Sequence, residues 1–317
     1  MVPRNPAFGF TLVATAAMLF IVNAGMSRVV LRAGLEPATL TTLRVTATFV
    51  VLLVLLAIFR RGALRPPTGR LALLLVAHGT IGVAALQWTY YIAIDRLPVG
   101  MALLLEYQAP ILVAVWARFV QNEPVRHRMW AGLALAMLGL AAATGIWKGA
   151  VFDPVGIAAG FGAAVCFAAY FLLGEHGVGS LDPMQMILWS FFVASIGLNV
   201  VSPVTAETLP LLGEHVSLLG SLAAYDAPVW LLLCWIIALG TITPFALELF
   251  ALRHLRATTV TMVAMLETVG VSALGWLWFF ERLDAIALVG GLAVVAGIVL
   301  AQTARQPRVV IEPPHLN

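Results

Sequence analysis

The sequence predicts an all-α membrane protein, with ten transmembrane helices arranged as two inverted five-helix repeats. Three observations predict this fold class. Apolar residues make up 62% of the 317 residues and charged residues only 10%, long apolar runs follow one another along the chain, and the two halves of the chain resemble each other. Because soluble domains carry about 25% charged residues, this composition requires lipid around most of the protein surface.

Ten apolar runs lie between charged residues or proline and glycine breaks, and each is long enough to cross roughly 30 Å of hydrocarbon as a helix. The first run begins near the start of the chain, and Arg28 and Arg32 crowd its end. It is interpreted as an uncleaved span. The predicted spans are 8–27, 38–59, 71–94, 98–120, 129–147, 154–174, 183–203, 228–252, 258–280 and 284–303.

The distribution of basic residues predicts the orientation. If the amino terminus is cytoplasmic, 12 of the 18 Lys and Arg residues lie on the cytoplasmic side, 5 lie outside and Arg44 lies within a span. Cytoplasmic loops are enriched in Lys and Arg, so both termini are predicted in the cytoplasm and the protein in the cell membrane. The polar loop 204–227 carries Glu207, Glu214, His215 and Asp226 but no Lys or Arg, which places it outside.

The two halves of the chain align with each other. A shift of 158 residues places 93–139 on 251–297 without a gap, and the acid-proline pair of LEPATLTTLR (from Leu35) matches that of LDPMQMILWS (from Leu181). Because five helices per half force the second half to enter from the opposite side, the predicted domains are a first repeat, 1–150, and an inverted repeat with a cytoplasmic tail, 151–317. Transporters built this way bind substrate at the repeat interface. The matched polar and glycine positions are Glu123 with Glu281, Gly132 with Gly290 and Gly139 with Gly297.

The motifs LPVGMALLLEYQAP (97–110), HLRATTVTMVAMLETV (254–269) and TPFALELFAL (243–252) resemble a known family. The chain is similar over nearly its whole length to the ten-helix EamA-type proteins of the drug/metabolite transporter superfamily, and most similar to the threonine/homoserine exporter branch. The resemblance implies export of amino acids or related small metabolites by a secondary transporter, without ATP or a cofactor. The chain departs from the family at Glu267-Thr268, where Glu-Pro is usual, so a proline-dependent kink is in question there.

Five ionisable residues lie at membrane depth, where each costs about 2.5–3.5 kcal/mol and so requires a partner or a function. Arg44 and Glu106 lie towards the outer side, where they could form an ion pair or hold the carboxylate and ammonium of a zwitterion. Glu248 and Glu267 lie towards the inner side and would suit a proton-coupled site, or would only bond to backbone at broken helices. His78 could relay protons, although a lone histidine in an apolar run more often packs through a hydrogen bond.

Two prolines, Pro110 and Pro244, fall inside spans and are predicted to interrupt them and free backbone carbonyls. Tyr107 and Gln108 flank the first of these positions, so both are candidate substrate contacts. Aromatic side chains are predicted to bound the cavity. The remaining aromatic candidates are Trp88, Tyr90, Tyr91, Tyr170 and Trp189.

Several other functions are disfavoured by the sequence. The net charge of +3 comes from arginines that cluster between the apolar runs, where they set the orientation in the membrane. Nucleic acid is therefore not an expected partner. Cys166 and Cys234 lie in apolar runs and suit core packing, and no metal site is predicted. An exchanger of phosphorylated metabolites or nucleotide sugars would need more cavity cations than Arg44. For a membrane-embedded lipid-modifying enzyme, the sequence has neither a His-Glu-x-x-His metal motif nor an aspartate cluster at a span end. That alternative requires the acidic residues within the spans to act in general acid/base catalysis. The expected partners are a small-molecule substrate and the bilayer, with a monomer assumed and a homodimer as the alternative.

Overall fold

In the computed structural model almost the whole chain is helical, which confirms the predicted fold class. The structure describes residues 5–123, 125–145, 153–204, 209–281 and 285–303. In these ranges eight helices are long and apolar enough to cross a membrane, and a shorter apolar helix covers Ala285–Ala301. The helices are α1 (Pro6–Arg32), α2 (Pro37–Phe59), α3 (Arg70–Arg96), α4 (Gly100–Phe119), α5 (His127–Thr144), α6 (Pro154–Gly177), α7 (Pro183–Val201), α8 (Val229–Leu252), α9 (Ala257–Phe279) and α10 (Ala285–Thr303).

The first helix extends beyond its predicted end at residue 27 and includes both arginines that crowd it. Nη1 of Arg28 lies 2.5 Å from Oε1 of Glu281, and its guanidinium lies 4.3 Å from the ring centroid of Phe279. Both partners are at the end of α9. A carboxylate and an aromatic face therefore allow the helix to continue through Arg28.

Four of the helices are interrupted, and the interruptions repeat. Helices α3 and α8 each contain a π-helical segment, at His78–Ala85 and Ala238–Ile242. Helix α4 breaks at Tyr107–Gln108 and α9 breaks at Met265. Under the shift of 158 residues the second π segment falls within the first, and the break in α4 falls on the break in α9. The sequence repeat is therefore also a repeat of local backbone structure.

Helices α5 and α10, which the shift makes equivalent, pack against each other through glycines. A Cβ on Gly132 would contact the carbonyl of Gly297, and a Cβ on Gly139 would contact the carbonyl of Gly290. Residue numbers rise along one helix as they fall along the other, so the pair is antiparallel. Equivalent helices that run in opposite directions are what an inverted repeat requires. The proposed domain boundary at residue 150 lies outside the described residues.

The loop predicted as polar, 204–227, contains secondary structure in its described part. It holds strands β1 (His215–Ser217) and β2 (Asp226–Pro228), paired antiparallel, and Leu218 accepts a hydrogen bond of 3.1 Å from the Trp278 indole. The polar residues Glu214, His215 and Asp226 are exposed, whereas the apolar residues of the hairpin cover the ends of α1 and α9. The remaining acidic residue of the loop prediction, Glu207, lies outside the described residues.

Outside the spans, Asp153 caps the start of α6. Its Oδ1 accepts a hydrogen bond of 2.7 Å from the N–H of Gly156, and its Oδ2 lies 3.5 Å from Nη1 of Arg96. The backbone hydrogen bond from Gly156, assisted by the arginine, holds the pKa of Asp153 below its usual value. This contact ties the end of α3 to the first turn of α6.

Candidate substrate cavity

A cavity of about 280 Å³ is lined by helices of both repeats. On the face opposite the amino terminus, the cavity is lined by residues at the ends of α1, α2 and α3, namely Leu31, Pro37 and Ile94. Tyr170 and Phe245 line it further along, within α6 and α8. The cavity therefore extends from the face opposite the amino terminus to the interior of the helix bundle.

Three glutamates line this one cavity: Glu106, Glu248 and Glu267. The sequence placed Glu106 towards the outer side and the other two towards the inner side and left open whether they share a cavity, and in the structure all three line the same one. Glu267 lies within Coulombic range of both other carboxyl groups, and its Oε2 accepts a hydrogen bond of 3.1 Å from the hydroxyl of Tyr107. Ionised carboxylates this close repel one another, so a cation or bound protons must balance them.

Arg44 also lines the cavity, but it does not form the ion pair considered for it with Glu106. Among the described residues it makes no salt bridge, and its Nε is buried without a hydrogen-bond partner. The carboxylate within Coulombic range of Arg44 is instead that of Glu267, which α9 brings in from the other repeat. A buried guanidinium with an unsatisfied donor can bind an anionic group.

The helix breaks position the acidic residues. Pro110 lies in the first turn after the break in α4, and because proline lacks an N–H it leaves the carbonyl of Glu106 without its helical partner. Pro244 likewise follows the π segment of α8. In α9 the break persists without proline because Oγ1 of Thr268 donates a hydrogen bond of 2.7 Å to the Met265 carbonyl. The helix is therefore interrupted here without a proline, and Thr268 is the repeat equivalent of Pro110.

Tyrosines form much of the aromatic wall. Four of the five tyrosines in the chain line the cavity, namely Tyr90, Tyr91, Tyr107 and Tyr170. All four are among the predicted contacts. Their hydroxyls and ring faces offer hydrogen bonds and cation–π contacts to a bound amine.

Three predicted contacts do not line the cavity. Trp88 lies two residues from Tyr90 on α3, which turns it to another face of the helix, and its ring packs 5.6 Å from that of Tyr91. Trp189 packs 5.7 Å from Phe192. The side-chain amide of Gln108 donates to the Leu104 carbonyl at 3.3 Å, one turn back along its own helix.

His78 lies behind the cavity wall. Its side chain is buried, with Nδ1 2.8 Å from Oγ of Ser190, and its ring packs 4.9 Å from that of Tyr170. Tyr170 lines the cavity and His78 does not. His78 thus has a hydrogen-bonded packing position, and it is separated from the cavity by one aromatic ring.

Sequence reasoning missed four polar residues that line the cavity: Asn23, Ser27, Thr41 and Gln87. Asn23 and Ser27 are four residues apart in an otherwise apolar run, and Thr41 lies one turn before Arg44. Polar residues at helical spacing in a span mark a face turned away from lipid. The helical spacing of these polar residues could therefore have predicted a face turned towards the cavity, whereas the charged residues alone did not.

Comparison with known proteins relates the chain to membrane transporters. The profile described as the EamA-like transporter family matches residues 7–145 and again residues 154–303. The threonine/homoserine exporter RhtA of Escherichia coli K12 is 28% identical over 246 residues, which cover 77% of this chain and 75% of that protein. The exporter of the same name from Salmonella typhimurium LT2 is 27% identical over 245 residues, with the same two coverages of 77% and 75%.

More distant matches agree on architecture. An uncharacterized transporter of Archaeoglobus fulgidus is 26% identical over 216 residues, which cover 67% of this chain and 70% of that protein. A solved structure titled "Crystal structure of protein" superposes with a TM-score of 0.73 at 18% identity, covering 94% of this chain and 98% of that one. At this identity the superposition establishes the fold alone.

Proposed function

Because the chain belongs to the EamA-like transporter family, we propose that it exports small α-amino acids across the cytoplasmic membrane by alternating access. It is a membrane transporter of small metabolites and not an enzyme. The observation that carries the amino-acid proposal is the cavity wall, where Arg44, which makes no salt bridge among the described residues and has an unbonded Nε, lines the same cavity as three glutamates. Both termini are proposed to be cytoplasmic, and the transporter is proposed to act as a monomer, with a homodimer as the alternative.

An α-amino acid complements this wall because it carries one carboxylate and one ammonium group. The free donors of Arg44 would bind the carboxylate, and Glu106 and Glu267 would accept the ammonium, with the tyrosine faces adding cation–π attraction. Arg44 lies seven residues after Pro37, the start of α2, and Glu106 lies six residues after Gly100, the start of α4, so each is about 10 Å from the same face. One small molecule could therefore reach both groups.

Ion pairs join the helix ends on the face opposite the cavity mouth, and this arrangement supports alternating access. Asp182, at the start of α7, lies 3.5 Å from Arg60 at the end of α2 and 3.8 Å from Arg253 at the end of α8. Arg256 pairs with Glu123. With a cytoplasmic amino terminus, the cavity is open to the outside and these pairs hold the inner side closed.

Proton coupling follows from the three carboxyl groups. The substrate ammonium and protons would compete for the same carboxylates, so that protons bind as the amino acid leaves. Export would then be driven by an inward proton gradient. The three acidic residues that would carry the protons are Glu106, Glu248 and Glu267.

The exchange of phosphorylated metabolites is the less favoured function of this fold. Phosphate groups are bound through several cations, and among the described residues that line the cavity Arg44 is the single cation. The three glutamates would repel a phosphate group. The cavity wall thus favours a substrate with an ammonium group.

Counterflow in proteoliposomes tests the proposal. Liposomes loaded with an unlabelled amino acid should accumulate the labelled amino acid, with threonine among the first tested, and an imposed pH gradient should change the rate. Asn199→Ala is a control, because Asn199 binds Thr46 and Ser195 outside the cavity lining. Accumulation of sugar phosphates but of no amino acid would refute the proposal.

A further inference from the structure

On the inner face, Asp182 joins the ends of three helices. Its Oδ1 lies 3.5 Å from Nη1 of Arg60 at the end of α2, and its Oδ2 lies 3.8 Å from Nη2 of Arg253 at the end of α8. The same Nη2 of Arg253 donates a hydrogen bond of 3.1 Å to the carbonyl of Leu181. The start of α7 is therefore bound to α2 and α8 by two cations, and this group is called the inner ion-pair cluster below.

The repeat equivalent of the inner ion-pair cluster, at the cavity mouth, keeps the acidic residue but lacks the cations. Glu36 is the N-cap residue of α2, as Asp182 is of α7, and proline follows each of them. The shift of 158 residues places Asp95 at the position of Arg253. The segment that follows α7, which corresponds to the end of α2, has no Lys or Arg in residues 202–227. Neither cation thus has a cationic equivalent at the mouth, and one is replaced by a second acidic residue.

Both acidic residues lie at the mouth of the cavity. Glu36 and Asp95 are each next in the chain to a residue that lines the cavity, Pro37 and Ile94 respectively, and both are exposed. Asp95 also lies one helical turn after Tyr91, another lining residue, which places it on the same side of α3. In the part of the chain that the structure describes, neither acidic residue makes a salt bridge.

The two cations nearest in sequence are not paired with these acidic residues. Arg96 lies 3.5 Å from Asp153 at the start of α6, and Arg32 at the end of α1 makes no salt bridge with a described residue. Glu36 and Asp95 therefore place like charges on two helix ends that border the mouth. If the mouth closes as the inner face does, these ends approach each other, and repulsion between the two carboxylates opposes the approach.

We infer that Glu36 and Asp95 disfavour closure of the cavity mouth, so that the transporter without substrate rests open on this side. The inference rests on the proposed alternating access, in which the mouth must close when the inner side opens. Attraction between Asp182 and its two arginines stabilises the closed inner face, whereas the equivalent arrangement at the mouth brings two carboxylates together. This difference in charge favours the outward-open state, which releases substrate outside and receives protons in an export cycle.

The accessibility of a cysteine in the cavity tests this inference. The probe is Ser27→Cys, because Ser27 lines the cavity, in a background with Cys166→Ala and Cys234→Ala, and a membrane-impermeant maleimide is added outside intact cells. Asp95→Arg and Glu36→Arg each convert the like-charge pair into an opposite-charge pair, so each should slow labelling about 2- to 5-fold. The double variant restores like charges, and its labelling rate should return to that of the background protein.

Asp226→Arg is the matched control, because it makes the same change of charge at an exposed residue of the hairpin and should leave the labelling rate unchanged. Labelling at the background rate in both Asp95→Arg and Glu36→Arg overturns the inference. A double variant that is labelled as slowly as the single variants also overturns it, since the effect would then not arise from repulsion between the two charges. Failures of the proposed function are distinct: labelling of the background protein from the cytoplasmic side alone contradicts the orientation, and absence of amino-acid counterflow contradicts the transport activity.

Discussion

Replacing Arg44 by glutamine tests how the cavity binds a carboxylate. Among the described residues Arg44 makes no salt bridge and its Nε has no hydrogen-bond partner, so the substitution removes a donor without breaking an ion pair seen there. A hydrogen bond to a charged group contributes about 1.5–3 kcal/mol, which corresponds to roughly 10- to 150-fold in binding. We expect KM for threonine in counterflow to rise by this factor.

The decarboxylated analogue 1-amino-2-propanol isolates the interaction, because it retains the ammonium and the hydroxyl. Its inhibition of threonine counterflow in the wild type should be matched in Arg44→Gln within about twofold. Arg96→Gln serves as the control, since Arg96 pairs with Asp153 outside the cavity lining, and should leave KM unchanged. An unchanged KM for threonine in Arg44→Gln, or an equal loss of affinity for the amine, would show that Arg44 does not bind the substrate carboxylate.

Three further changes have defined outcomes. Tyr107→Phe removes the hydrogen bond to Glu267 and should slow initial transport about 3- to 10-fold; a wild-type rate would show that the bond has no role. Gly132→Ala forces a Cβ into the backbone of α10 and should lower stability by about 1–3 kcal/mol, seen as a lower Tm in detergent, whereas Gly162→Ala, which has room for a Cβ, should not. Asp153→Ala should lower Tm at pH 7. Because the pKa of Asp153 is depressed in the folded protein, the difference in Tm from wild type should persist above about pH 4 and disappear as the pH falls through that pKa. A difference in Tm that survives in acid would contradict the capping role of the ionised carboxylate.

The fold could be predicted from the sequence because lipid imposes simple rules. Apolar runs of sufficient length must be helices, and the glycines matched between the repeats lie where α5 and α10 contact each other. The full length of α1 was not predicted because the partners of Arg28 lie on α9, some 250 residues away in sequence. Distant partners cannot be read from local hydropathy.

Most of the charged and aromatic residues of the site were predicted from the sequence, but the directions in which their side chains point were not. The three glutamates, Arg44 and the four tyrosines were found because charged and aromatic residues are unusual at membrane depth. That they line one cavity could not be predicted, because depth along a span does not give the direction in which a side chain points. Trp88 was included and Asn23 missed for the same reason, since the helical phase of each residue relative to the cavity depends on how the helices pack.

If one cavity with three carboxyl groups binds and moves the substrate, transport depends on those carboxyl groups. The most direct test is counterflow of labelled threonine by the variant with Glu106→Gln, Glu248→Gln and Glu267→Gln together, reconstituted at the same protein content as wild type. The expected result is accumulation by wild type and none by the variant, with both proteins folded as judged by circular dichroism. Accumulation by the triple variant at the wild-type rate would contradict it.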